Sequence, residues 1–325
     1  MNTSRARKIV AVGEAMLEMS PVEGGLFRLD YAGDTFNTLW HAALLLGPRA
    51  RAGFITRVGT DRLSENFVAG MVADGLEVSG VGRDQDRTMG LYMIELDGAE
   101  RSFHYWRHQS AARRLADDPN FLSEAVSGAD FIHVSGITLA VIGPEGRETL
   151  FAVLDAARSQ GTKVAFDPNI RQRLWSSREE TQAAYENMLM RTDIALPSFD
   201  DEASLWGDTT PETTIQRLLN WGVDEVAVKN GPHPVAFTAA GMASVCDTPA
   251  VSELRDTTGA GDAFNAGYLA SRLLGSTPLA AIRIGQAVAR EVISIAGARA
   301  HRSALLKLAE GVIGLHPHCE TTCRV

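Results

Sequence analysis

The sequence predicts an α/β protein with a mostly parallel central sheet flanked by helices and a small β-sheet lid. Two patterns predict it. Short apolar runs are followed repeatedly by segments whose apolar residues recur at helical spacing, and such β-then-α order builds a parallel sheet with helices on both faces. One early region breaks the rhythm with two short aromatic-rich segments around Asp97-Gly98, a strong hairpin signal. A chain of 325 residues with 45% hydrophobic content can bury a large core, and the expectation is a single domain over 1–325.

Residues 8–19 read as a first buried strand ending in a loop, followed by a polar turn at Gly24-Gly25. A helix over 35–46 comes next, stopped by Gly47-Pro48. Strand-then-helix units follow at 51–58 with 63–74, 131–135 with 145–159, and 163–167 with 178–190. The later half adds segments at 193–197, 213–221 and 225–229, and two long helices near 260–274 and 278–296. The hairpin strands fall at 91–96 and 101–107; with the stretch near 25–31 they are expected to form the lid, from about 20–31 and 89–108.

Composition narrows the function. Lys and Arg total 31 against 40 Asp and Glu, a formal net charge of −9, so no basic field attracts a nucleic-acid backbone. A single phosphate can still be held by a few local donors. The three cysteines, Cys246, Cys319 and Cys323, form no secreted disulfide framework and suit a reducing cytoplasm. The start, 1–8, is polar and basic, and Gly13, Glu14 and Glu18 interrupt the apolar stretch behind it, so neither a signal peptide nor a membrane span is expected.

The most informative run is Asp256-Thr257-Thr258-Gly259-Ala260-Gly261-Asp262-Ala263-Phe264, which leads into a helix of small and apolar residues. Glycines let successive N–H groups at a helix start converge on an anion. Gly259, Ala260 and Gly261 would form that anion hole. Asp262, in the first turn, would take the proton from an attacking hydroxyl, and phosphoryl transfer needs these two functions side by side. On the glycines alone, a tight turn with Asp262 as a charge on the helix dipole is an equal reading. No G-x-x-x-x-G-K-[ST] is present, and no G-x-G-x-x-G opens a helix after the first strand, which disfavours P-loop kinases and dinucleotide enzymes. A second run, Ala32-Gly33-Asp34-Thr35-Phe36-Asn37, passes from loop to helix. Gly33 allows close approach, and Asp34 and Asn37 offer the donors and acceptors a polyhydroxylated ligand requires; the same residues also suit a capped helix start.

D-T-x-G-A-G-D followed by small residues resembles the second signature of the ribokinase (PfkB) family of carbohydrate kinases. The 32–37 run resembles its first, G-G-D-x-x-N, with Ala32 replacing the first glycine, and the resemblance extends from residue 9 to about 298. It implies a ribokinase-like fold, ATP with Mg2+ as phosphoryl donor, Asp262 as general base, the 259–262 backbone as anion hole, and sugar binding by Gly33, Asp34 and Asn37. A requirement for a monovalent cation is left open.

Which sugar is bound turns on positive charge, because a carboxylate matches a guanidinium in geometry and charge and a neutral hexose does not. Arg107, sharing a strand face with Tyr105, and Arg171, just beyond a strand end, are the candidates; each reads equally well as a solvated charge or salt-bridge partner. The stretches G-L-Y-M-I-E, R-S-F-H-Y-W-R and D-P-N-I-R-Q-R-L-W resemble the 2-keto-3-deoxygluconate kinases within the family. That resemblance implies that Tyr92, Tyr105, Arg107 and Arg171 surround the sugar acid and that the product is 2-keto-3-deoxy-6-phosphogluconate. A kinase of another sugar acid or a ketohexose, and a non-catalytic sugar sensor, are the competing readings.

On the nucleotide side, Ser198 and Asp201 stand where much of the family has N-x-x-E, linked to magnesium through water, and an ordinary N-cap is the plain alternative. Lys229 and Gly231 resemble strand-end residues beside the ATP phosphates. Gln286, Ala289 and Ala296 are placed on the helix that should border the adenine, and their spacing reads first as core. His316, His318, Cys319 and Cys323 match no closed zinc site and fall in a tail, 315–325, expected to be flexible. A hairpin with apolar residues on both faces needs cover, so a homodimer through the lid is expected, with Trp106 at the contact.

Overall fold

The structure, a computed structural model, describes residues 6–97, 100–239 and 241–314. Its first strand shows why helices lie on both sides. In β1 (Arg7–Val12), Ile9 and Ala11 join one apolar cluster while Val10 and Val12 join another. A strand buried on both faces belongs to the centre of a sheet covered twice.

After β1 come β2 (Met16–Val22), β3 (Leu26–Ala32), α1 (Asp34–Leu46), β4 (Ala50–Val58), α2 (Arg62–Ala73) and β5 (Val81–Arg83). The hairpin β6 (Gly90–Asp97) and β7 (Glu100–Trp106) follows, then α3 (Pro119–Val126), β8 (Phe131–Ser135), α4 (Gly136–Ser159) and β9 (Lys163–Asp167). The remainder holds α5 (Arg178–Leu189), β10 (Ile194–Ala195), α6 (Phe199–Trp206), α7 (Pro211–Asn220), β11 (Glu225–Val228), β12 (Val235–Ala239), β13 (Met242–Cys246), α8 (Ala260–Leu273), α9 (Pro278–Ile293) and α10 (Arg302–Gly314).

The main sheet runs β13-β12-β11-β10-β9-β8-β1-β4-β5. Neighbours from β11 to β5 are parallel, and β12 and β13 add an antiparallel edge. The carboxyl ends of β1, β8, β9 and β11 therefore share one rim, where open α/β sheets take their ligands. A second sheet, β3-β2-β6-β7, is the lid, with β2 and β6 pairing in parallel.

Several expected boundaries shift. The single strand expected over 8–19 is two strands in two sheets: Gly13-Glu14-Ala15 carries the chain from β1 to β2. The crossing is hidden in the sequence because it is as buried as the strands, and a Cβ at Gly13 would lie 2.2 Å from Thr35 Oγ1. Helix α4 starts at Gly136, capped by the Ser135 hydroxyl accepting from the Ile137 N–H, and passes through a kink at Gly143 (φ 71°) and Pro144 that reads as a helix start near 145. Helix α9 ends at Ile293, so Ala296 lies beyond it. The short elements β5, β12, β13 and α3, and the helix α10, were not expected from the sequence. Among the described residues no helix is long and apolar enough to cross a membrane. The tail with His316, His318, Cys319 and Cys323 lies outside the described residues.

Candidate active site

The site begins at the start of α8. Gly259 has φ 76°, and a Cβ there would lie 2.7 Å from the Ala298 carbonyl oxygen, so glycine is required twice over. The Ala263 N–H donates to Gly259 O (2.8 Å) and the Ala260 N–H to Thr257 O (3.2 Å). Among the described residues the N–H groups of Gly261 and Asp262 have no acceptor, so they are the orphan donors of a helix N-terminus. The expected anion hole is thus narrower than the sequence suggested: the Ala260 amide is engaged in the turn. Beside Gly261 the nearest group is the Lys229 ammonium, 3.5 Å from where a Cβ would sit.

Asp262 lies in the first turn of α8 and opens partly to the cleft. Its Oδ2 accepts from Asn37 Nδ2 (2.9 Å), and its backbone carbonyl accepts from the Thr38 hydroxyl (3.2 Å). Burial of the carboxyl, then the charge of Asp34, raise its pKa well above the usual carboxylate range; Asp167 adds to this, and Asn37 and Lys229 oppose it. A carboxyl with raised proton affinity, set next to orphan amides, is suited to taking the proton of a hydroxyl that attacks a bound phosphate.

Asp34, the first residue of α1, accepts from the Ser135 hydroxyl at the end of β8 and from Asn169 Nδ2 (2.9 Å). Asn169 holds φ 37°, the one positive φ outside glycine among the described residues, and such a conformation is characteristic of functional sites. Gly33 is required by packing, because a Cβ there would lie 2.3 Å from Glu14 O. Lys229, just past β11, donates to Asp167 Oδ2 (2.9 Å) and Asn265 Oδ1 (3.1 Å), and Asn265 Nδ2 closes the triad on Asp167 Oδ2 (2.6 Å). All three are buried. Gly231 (φ 54°) has a positive-φ backbone that glycine adopts readily, with nothing crowding a Cβ. Ser198 precedes α6 without a side-chain cap bond.

The lid presents Tyr92, Phe103 and Tyr105 to this cleft, with ring centroids 5.7 to 6.4 Å apart. The Tyr92 hydroxyl donates to the buried Glu18. Burial and then Glu18 raise its pKa, with smaller contributions from Tyr105 and the charge of Asp262. The two expected acid-binding arginines are both paired within the protein. Arg107 forms a buried ion pair with Glu14, leaving Arg107 Nε and Glu14 Oε1 without partners. Arg171 donates to Asp201 Oδ2 (3.3 Å) and to Ile170 O (2.8 Å). Arg173, not singled out from the sequence, donates to the Tyr105 hydroxyl (3.0 Å) with its guanidinium 4.8 Å from that ring's centroid, bridging body and lid. Its signal was the R-Q-R spacing; Asp167 and Asn169 also lay in that motif. Asn265, in the small-residue helix, gave none.

Asp201 accepts from the Ile170 N–H (3.1 Å), and burial raises its pKa against the pull of Arg171. Among the described residues no cluster of three ligating side chains is present. Asp201 and Ser198, at the head of α6, present oxygen donors of the kind that bond the water shell of a magnesium ion. On α9, Gln286 Nε2 donates to Asp247 O (3.1 Å) and Thr248 Oγ1 (3.2 Å), while Ala289 packs against the core.

A carboxyl of raised proton affinity beside unpaired helix amides, under an aromatic lid at the rim of a parallel sheet, is an arrangement suited to phosphoryl transfer to a hydroxyl. Residues 6–304 match the pfkB family carbohydrate kinases, and the chain belongs to that family. It is 39% identical over 308 residues to the 2-dehydro-3-deoxygluconokinase of Escherichia coli (strain K12), covering 92% of this chain and 99% of that one. The protein of that name from Dickeya dadantii (strain 3937) is 38% identical over 300 residues, 90% and 96% of the two chains. An Escherichia coli protein solved in complex with ATP and magnesium shares the fold with a TM-score of 0.81 at 23% identity, over 95% of this chain and all of that one.

Proposed function

We propose that the protein transfers the γ-phosphoryl group of Mg-ATP to the terminal hydroxyl of 2-keto-3-deoxygluconate, giving 2-keto-3-deoxy-6-phosphogluconate and ADP. The observation that carries the transfer is the raised carboxyl of Asp262 beside the orphan amides of Gly261 and Asp262. The sugar acid is supported by the two gluconokinase relatives, which cover almost the whole chain, and by Arg107, Arg171 and Arg173 around the cleft.

Asp262 takes the proton of the sugar hydroxyl as that oxygen bonds the γ-phosphorus and the bond to the β–γ bridging oxygen breaks. The 261–262 amides and the Lys229 ammonium face the charge on the moving group. Asp34 and Asn37, whose Oδ1 is buried without a partner, hold sugar hydroxyls, and Tyr92 and Tyr105 cover the ring. The acid group is received by Arg107 and Arg171, each giving up part of its present ion pair. Asp201 and Ser198 would hold the water shell of a magnesium ion, which would supply charge neutralisation. Lys229 and Gly231 border the triphosphate. A coupled assay with ATP and a panel of sugar acids, ketohexoses and their neutral analogues tests the reading: the highest kcat/KM on a neutral ketohexose refutes the acid assignment, and no turnover on any member refutes the kinase.

We also propose a homodimer through the outer face of the lid. Phe27, Leu29 and Trp106 are 42%, 46% and 56% exposed there, on the face opposite Tyr92 and Tyr105. Exposed apolar side chains on the outer face of a sheet suit a contact with a second copy of the same face. Light scattering at micromolar concentration should give a dimer mass, lost in Trp106→Glu; a monomer, or an undisturbed dimer in the variant, refutes it.

A further inference from the structure

We infer that Arg299 is a positioning residue that couples the lid to the phosphate-binding loop. It sits in a segment, 297–300, between α9 and α10, whose four consecutive residues hold the phosphate loop, the lid and α1. The Gly297 N–H donates to Asp256 Oδ2 (2.8 Å), and Asp256 Oδ1 accepts from the Thr258 N–H (3.0 Å) at the head of the phosphate loop. Ala298 packs against Gly259 so closely that a Cβ on the glycine would lie within 2.8 Å of its Cα, Cβ and carbonyl oxygen. The Ala300 N–H donates to His41 Nε2 (3.1 Å), whose Nδ1 donates to Asn37 O (2.7 Å), and Asn37 in turn holds the Asp262 carboxyl.

Arg299 itself reaches the other way. Its Nη2 donates to Asp30 Oδ1 on lid strand β3 (2.5 Å), and its guanidinium lies 5.5 and 5.3 Å from the ring centroids of Phe36 and Trp40 on α1. The nearby tie of the same strand, Tyr31 Oη to Leu63 O (2.9 Å), runs to α2 and not to the phosphate loop. With no free space between Ala298 and Gly259, a displacement of β3 that carries Asp30 and Arg299 with it bears on the loop, and seating a phosphate on the loop bears on β3. Contact alone does not establish coupling; a measured response of one end to the other does.

The inference rests on the 259–262 backbone being the phosphate seat, not on which sugar is used. The test therefore contains no sugar. Amide hydrogen exchange of the 26–32 segment is followed in the full chain with and without Mg2+ and a non-hydrolysable ATP analogue. In the parent, the analogue should slow exchange there by about fivefold, the low end of site-to-site coupling. Arg299→Met, which keeps an apolar stem beside Phe36 and Trp40, and Asp30→Asn should both abolish that response while still binding the analogue. Arg299→Lys should retain part of it. A purely structural role would speed exchange with and without nucleotide and leave the ratio intact. That result, or a parent whose 26–32 exchange ignores the analogue, overturns the inference. Failure of the analogue to bind the parent would overturn the nucleotide site itself, a distinguishable outcome.

Discussion

Replacing Asp262 by asparagine separates the base from the anion hole. The amide has the outline of the carboxyl, its oxygen can accept from Asn37 Nδ2 across the existing 2.9 Å, and the Thr38 bond goes to the backbone carbonyl and is untouched. Only proton acceptance is removed. A positioned base contributes about 10² to 10⁴ in rate, so the barrier should rise by about 2.7 to 5.4 kcal/mol. Stability should move the other way. The native carboxyl is buried near Asp34 and Asp167, which raises its pKa, and a raised carboxyl pKa means a stability contribution present in acid and lost as pH rises through the folded value. Asparagine carries no such loss, so its melting temperature should match the parent in acid and exceed it increasingly toward neutral pH. Turnover by the ADP-coupled assay, analogue binding by calorimetry and melting curves across pH complete the set. Turnover within a few-fold of the parent would refute the base assignment; lost turnover with a lowered melting temperature would point to damaged structure instead.

Arg107→Ala and Arg171→Ala should each weaken the acid substrate more than its neutral alcohol analogue by about 1.5–3 kcal/mol, the value of a hydrogen bond to a charged group. Arg107→Ala also strands Glu14 in a buried site, so the acid-to-neutral ratio is the readout, and equal losses for both ligands refute the role. His41 is held neutral, its pKa lowered to about 4 from 6.5 chiefly by burial. A lowered histidine stabilises fully above 6.5 and loses that contribution as pH falls to 4, with a slope of about 1.4 kcal/mol per pH unit for one proton. His41→Gln can still bond Asn37 O and the Ala300 N–H, and should flatten the pH dependence of stability in that window; an unchanged slope refutes it.

The parts of the site that were legible in the sequence are those where backbone chemistry dictates residue type. Gly259 must be glycine for its φ and for Ala298, and Asp262 follows it in a run that has few other uses. Asp34 and Asn37 were legible through their place at a loop-to-helix junction. Side-chain partnerships were not. Arg107 and Arg171 were chosen for charge, and nothing local to either says that Glu14 and Asp201 stand opposite them, because those contacts depend on how separate loops meet in space. The same applies to Asp167, Asn265 and Arg299. In the fold, strands with regular alternation and long amphipathic helices were recovered. The crossing at Gly13-Glu14-Ala15 was missed because it is buried, and β12 and β13, an antiparallel pair after β11, broke the strand-then-helix order by which the other strands were read.

The lid is threaded from two remote stretches of chain, joined where Met16 through Met19 pair in parallel with Gly90 through Met93. Between β3 and β6 lie α1, β4, α2 and β5, which belong to the body. The loop that this pairing closes is long, and its entropic cost falls once the body strands have already brought its ends together. Completion of the four-stranded lid is thus favoured once the body is in place, and the β2–β3 hairpin gains its third strand only when β6 has been made. A separate sheet closed by one such pairing can also open without dissolving the main sheet beneath it.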